Sequence, residues 1–222
     1  ASPTFAATIA NNTVVVSKIA SVGSTLIAVF RVTNIDARVL GSANASVAGT
    51  SVSFFGNCVN ASAISASSSV VVGGVFVDGE LYAVDAIADW NNVIDASDVT
   101  AAGSRVDVYG ASVGSVSYCG RFLSHSNKLF ARSLSSRSGS VNVAAVKSGV
   151  MDFASSGNVS SNLVESSDAV AKNVHIYGVD VSVQTPRFVA NSLIVRVLRS
   201  SDSELALINC VSIEGSSVAV GG

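Results

Sequence analysis

The sequence predicts an all-β, elongated parallel β-helix or β-solenoid. Three observations carry that expectation: apolar residues recur with a local rhythm of two, features recur about every 35 residues, and only two prolines occur in 222 residues. The competing architecture is an antiparallel β-sandwich, with strands roughly every 8–12 residues.

The rhythm comes first. Val106 and Val108, Val174 and Ile176, Val179, Val181 and Val183, and Val195 and Val197 all alternate with other residues. Alternation gives a strand one buried and one solvated face. The composition agrees. Hydrophobic residues make up 49%, dominated by Val and Ala and diluted with Ser, Gly and Asn. Val is stiff at χ1 and favours strands, whereas Ser, Gly and Asn favour turns. Scarce proline suits an uninterrupted ladder, because proline removes a backbone donor.

The repeat is read from three features. Tyr82, Tyr118, Phe153 and Phe188 are spaced by 36, 35 and 35 residues. Asn92-Val93-Ile94, Asn127-Lys128-Leu129 and Asn162-Leu163-Val164 keep a step of 35. A polar-Val-x-Val element follows each, starting at Arg105, Ser140 and Asn173, with a fourth copy at Asn209-Cys210-Val211. Helical repeats have similar periods, about 33–34 residues, but need apolar spacing of i, i+3, i+4. In a solenoid, each coil leaves its backbone groups unpaired until the next stacks at ~4.8 Å.

Before this region, Thr13-Val14-Val15-Val16 and Arg38-Val39-Leu40-Gly41 lie 25 residues apart, as do Phe30 and Phe55. The organisation is therefore one elongated repeat domain over 1–222, with shorter coils of about 25 residues over 1–79 and ~35-residue coils over 80–222.

Net charge is −2 and the isoelectric point is about 5.6. Nucleic acid is thus an unexpected partner, since phosphate binding needs a clustered basic excess. No uncharged apolar run reaches about 18 residues, so no membrane span is expected. Residues 1–10 lack a basic stretch followed by an apolar core, so an exported form would be a mature one. Cys58, Cys119 and Cys210 are far apart and form no CxxC pair, so neither a metal site nor a cofactor is expected. Their simplest role is that of small buried hydrophobes. Asn11, Asn44, Asn60 and Asn158 begin N-x-Ser/Thr tripeptides, which are glycosylation acceptors in a secretory setting.

The stretches Arg187-Phe188-Val189-Ala190-Asn191-Ser192-Leu193, Ser200-Ser201-Asp202-Ser203, Asn209-Cys210-Val211 and Gly215-Ser216-Ser217-Val218-Ala219-Val220 share a Ser/Val/Asn texture. Over residues 80–222 the chain resembles the repetitive surface proteins of trypanosomatid parasites known as the dispersed gene family. The resemblance implies a cell-surface, adhesive role and no catalytic residues. That family carries many more cysteines than the three found in this chain.

Seven of the fifteen acids fall within residues 78–107: Asp78, Glu80, Asp85, Asp89, Asp95, Asp98 and Asp107. One reading is a carbohydrate or ion site built from Asp85, Asp89, Trp90, Asp95 and Asp98. Carboxylates on adjacent coils would face one groove, and Trp90 would stack on a sugar. The other reading is structural. Residues 108–151 hold no acid but do hold Arg121, Lys128, Arg132, Arg137 and Lys147, so acidic and basic coils would pair across the stack. Trp90 then caps the core. His175, in a Val-His-Ile alternation, points to the solvated side, and His125 has no catalytic neighbour in sequence. Gly73-Gly74 lacks the following Lys-Ser/Thr of a phosphate loop.

The expected function is an extracellular or cell-surface structural or adhesive solenoid, not an enzyme. It would self-associate head to tail or meet glycans and other cell-surface ligands. The rival function is a carbohydrate-binding or polysaccharide-cleaving β-helix using the carboxylates of 78–107.

Overall fold

The computed structural model describes residues 6–36, 47–82, 84–183, 186–189 and 192–213. Every described regular element is a strand. In chain order these are β1 (Ala6–Ala10), β2 (Thr13–Ser21), β3 (Thr25–Val32), β4 (Ile35–Asp36), β5 (Val47–Phe55), β6 (Cys58–Ala66) and β7 (Ser69–Tyr82). There follow β8 (Val84–Trp90), β9 (Val93–Ala101), β10 (Arg105–His125), β11 (Lys128–Ser136), β12 (Ser140–Ser160), β13 (Leu163–Val183), β14 (Pro186–Val189) and β15 (Ser192–Ile213).

All described pairings are parallel, which makes the chain a β-solenoid and excludes the antiparallel sandwich. Each coil has three faces. The first stacks Ala6, Ser51, Ala86, Arg121 and Ser156. The second stacks Thr13, Cys58, Val93, Lys128, Leu163 and Ser192. The third stacks Thr25, Val70, Val106, Val141, Val174 and Ala206.

The corner between first and second faces has a repeated local cause. Asn11, Gly56, Asn91, Ser126 and Ser161 all have φ between 54° and 64°. Gly and Asn tolerate this left-handed region best, and the chain supplies them at three of the five positions. A second such column, Lys18, Ala63, Asp98, Ser133 and Asp168, bends the second face outward. There Ser97 and Asp98 both avoid the core, and Val99 returns to it with no exposure.

The third face bends the other way. Val70 and Val72 join one interior cluster, with Ile64 and Ile94, whereas Val75 and Val77 join another, with Ile87 and Phe122. The inward parity therefore switches at Gly74, and likewise between Ala145 and Val146. Two successive inward residues fold the outer surface into a groove. Small residues are needed here: a Cβ on Gly74 would sit 2.7 Å from the Gly110 carbonyl oxygen.

The 35-residue period holds for the Asn element, and the first three polar-Val-x-Val copies stack at steps of 35 and 33, with Val106, Val141 and Val174 fully buried. Three expectations are corrected. The aromatic residues share no phase: Tyr82 pairs with Ser117, Phe153 with Cys119, and Phe188 with Val159. The fourth polar-Val-x-Val copy is displaced, because Asn173 pairs with Leu205 and Tyr177 with Asn209. The N-terminal coil is longer, not shorter. Thr13 pairs with Cys58, 45 residues on, and Cys58 with Val93, 35 on. Most of the additional residues fall between Asp36 and Val47, where ten residues stand against residue 83 alone between Tyr82 and Val84. Arg38–Gly41 and Asn44 lie outside the described residues, and Phe30 and Phe55 sit on different faces.

Candidate functional site

The groove on the third face is a concavity of about 480 Å³. Its floor is aromatic. Phe76 and Tyr109 meet edge to face with ring centroids 6.4 Å apart, and Ala28, Val71, Ala144 and Tyr177 pack with them as a cluster separate from the interior. The position of Phe76 is local chemistry: a Cβ on Gly73 would come within 2.8 Å of its ring, so only glycine leaves the ring room to lie flat there. Lys147 donates to the Tyr109 hydroxyl at 3.1 Å and stands 5.0 Å from the ring centroid.

Its rims carry two ion pairs. Arg31 Nε donates to Asp78 across adjacent coils at 2.7 Å. Arg105 Nε forms an ion pair with Asp107 Oδ2 at 2.9 Å. Asn142 Nδ2 donates to the other Asp107 oxygen at 2.6 Å, and His175 Nδ1 lies 3.0 Å from Asn142 Oδ1. Asp107, Asn142 and His175 occupy one register position on successive coils, so stacking alone aligns them along the axis. Asp107 is 5% exposed, with one oxygen accepting from Asn142 and the other ion-paired with Arg105, which holds the guanidinium at the rim.

The residues singled out from sequence do not gather there. Asp89 points inward and is buried, its oxygens accepting from Asn92 Nδ2 at 2.6 Å, Asn127 Nδ2 at 2.9 Å and Ser124 Oγ at 3.1 Å. Burial pushes its carboxyl up to about 7, against the lowering pull of those three donors. Asp95 lies on the second face and pairs with Arg132, with contacts of 2.5 and 2.6 Å. That is the cross-coil pairing of acid and base. Asp98 is exposed on the outward bend. The backbone N–H of Asp85 donates to Thr50 Oγ1 at the start of the first face. Carboxylates so dispersed cannot divide acid and base roles on one substrate.

Trp90 neither caps the core nor offers a ring face. It is stacked on Phe55 at 4.5 Å and on His125 at 6.1 Å, forming an aromatic column on the outside of the corner. Of the acid-rich segment, Asp78 and Asp107 do line the groove, together with Arg31 from the preceding coil. Among the glycosylation tripeptides, Asn11 and Asn60 are exposed. Asn158 is a strand residue paired with Leu123 and Arg187. Cys58 is half-buried. Among the described residues, no group of His, Cys, Asp or Glu converges to hold a metal ion.

Beneath the aromatic column, Asn12, Asn57, Asn92, Asn127 and Asn162 form a ladder. Each carboxamide oxygen from Asn57 to Asn162 accepts both the backbone and the side-chain N–H of the Asn one coil earlier, at 2.9–3.1 Å. Asn12 escaped the sequence reading because its step to Asn57 is 45 residues, whereas Asn57 keeps the 35-residue step to Asn92 and was missed beside it. The groove escaped it because Arg31 comes from that same long coil. The signal for it was the aromatic-Gly pair after two of the three Val-x-Val/Ile copies, at Tyr109-Gly110 and Tyr177-Gly178. No family model matches the chain, and comparison with curated proteins and with solved structures gives no match either.

Proposed function

We propose that the chain is a non-catalytic adhesive β-solenoid, acting at a cell surface or outside the cell, that holds a glycan in the groove of its third face. The observation that supports this most is the groove itself: an aromatic floor between rims of oriented polar groups, on a rigid parallel stack. Sugars present hydroxyls in a plane and a flat C–H face, and such sites are met by ionic hydrogen-bonding groups beside aromatic rings. Both groove carboxylates are held in ion pairs, Asp78 with Arg31 and Asp107 with Arg105, which argues for binding over cleavage. The test is a glycan panel read for both binding and turnover. Saturable binding without release of shortened products is expected, weakened at least tenfold by Asp107→Ala. Product release, abolished by changing a groove carboxylate, would instead favour the polysaccharide-cleaving reading.

A second reading, head-to-tail self-association, is favoured by the first described coil. Val14, Val16 and Ile19 face the interior there but are only partly buried, whereas their partners Val59, Ala61 and Ile64 one coil on are fully buried. Exposed apolar surface beside a strand edge associates readily. Sedimentation that shifts to larger species with concentration supports this reading, and an unchanging monomer refutes it.

A further inference from the structure

Resting on the glycan-groove reading, we propose that the ligand is a linear anionic polysaccharide, lying along the solenoid axis with its acidic groups taken by Arg31 and Arg105. The argument starts from unused hydrogen-bonding capacity. Each guanidinium is held at Nε alone, by Asp78 or by Asp107, and both side chains are 57% exposed. Their terminal amino groups donate to nothing among the described residues, so each arginine offers a planar pair of N–H groups to the groove. That fork matches a carboxylate or sulfate in bidentate fashion. Acceptors are scarcer: both Asp107 oxygens are occupied, Asn142 and His175 are engaged with each other, and Asp78 has Oδ2 taken by Arg31. A site with donors left over selects a ligand rich in acceptors.

The spacing along the axis sets the ligand's shape. Arg31 is level with Phe76 of the next coil, whereas Arg105 is level with Ser69 of the coil before it. The two arginines are therefore two coils apart, roughly 10 Å at ~4.8 Å per coil. A coil rise is comparable to one sugar residue, so a chain along the groove meets one arginine at every second residue. Phe76 lies on the coil between them, under the sugar carrying no arginine contact, and Tyr109 lies on the coil of Arg105.

The experiment is calorimetric titration with two hexasaccharides of one backbone, a β-1,4-linked glucuronate and its neutral glucose counterpart, alongside a single-stranded oligonucleotide and the panel above. The expected result is glucuronate binding at least tenfold tighter than the neutral oligomer, weakening with added salt. The Arg31→Gln/Arg105→Gln variant, shown folded by circular dichroism, should lose that preference; Arg→Lys at both sites should recover only part of it. Equal affinity for the two hexasaccharides overturns the anionic ligand and leaves the glycan groove standing. Binding of neither, with another glycan of the panel bound, also overturns it. A silent panel removes both readings, and preference for the oligonucleotide replaces this one with nucleic acid.

Discussion

The asparagine corner and the third-face groove are both polar columns running along the same stack, but one is closed and the other open. At the corner, each carboxamide oxygen from Asn57 to Asn162 receives two donors from the coil before. In the groove, Arg31 and Arg105 each use Nε and keep their terminal donors outward. A column whose hydrogen bonds close on themselves sets register and corner shape. A column left open presents groups to a ligand. The same residue chemistry thus serves folding where it is buried and binding where it is concave and exposed.

The largest expected effect breaks the closed column by pH. Asp89 ionises near 3.8 when unfolded and near 7 when folded. Between those values the folded state holds the extra proton. Stability therefore falls as pH rises through that window and levels off above about 7. A shift of about three units corresponds to up to about 4 kcal/mol. Denaturant midpoints from pH 4 to 8 should show the decline, and Asp89→Asn should flatten it. A variant with the wild-type slope would show that Asp89 is not its source.

Next in size is Asn127→Ala. It removes the acceptor of the buried Asn92 N–H and one donor to Asp89. Leaving buried polar groups unpaired should cost about 3 kcal/mol in chemical unfolding. A loss under about 1 kcal/mol would mean that the ladder does not hold the corner.

The sequence shows the closed column more readily than the open one. Asn92, Asn127 and Asn162 recur at a fixed step because every coil must repeat the same corner. Strand alternation at Val106, Val141 and Val174 is visible for the same reason. The groove needs no repetition: Arg31, Phe76, Asp78, Arg105 and Tyr109 are each placed once. Their meeting depends on the 45-residue first coil, which no local pattern announces. The acid-rich stretch misleads because neighbours in sequence face different sides of a coil: Asp89 faces in, whereas Asp95 and Asp98 face out.

Smaller effects sharpen the contrast. Ser166 follows Ala61, Ala96 and Ala131 in one inward column, and its buried hydroxyl has no partner among the described residues. Ser166→Ala should stabilise by about 1 kcal/mol; a loss of stability would indicate a hydrogen bond that the geometry lacks. Arg31→Gln, in an exposed pair, should change stability by less than about 0.5 kcal/mol while weakening ligand binding. A large stability loss would move Arg31 from the open column to the closed one.

One measurement addresses the contrast directly: a heteronuclear NMR titration with the glucuronate hexasaccharide, following arginine Nε–H and asparagine side-chain amide resonances together. The account predicts saturable shifts at Arg31 and Arg105, with Asn57, Asn92 and Asn127 unmoved. Shifts at the asparagines with the arginines silent would contradict it.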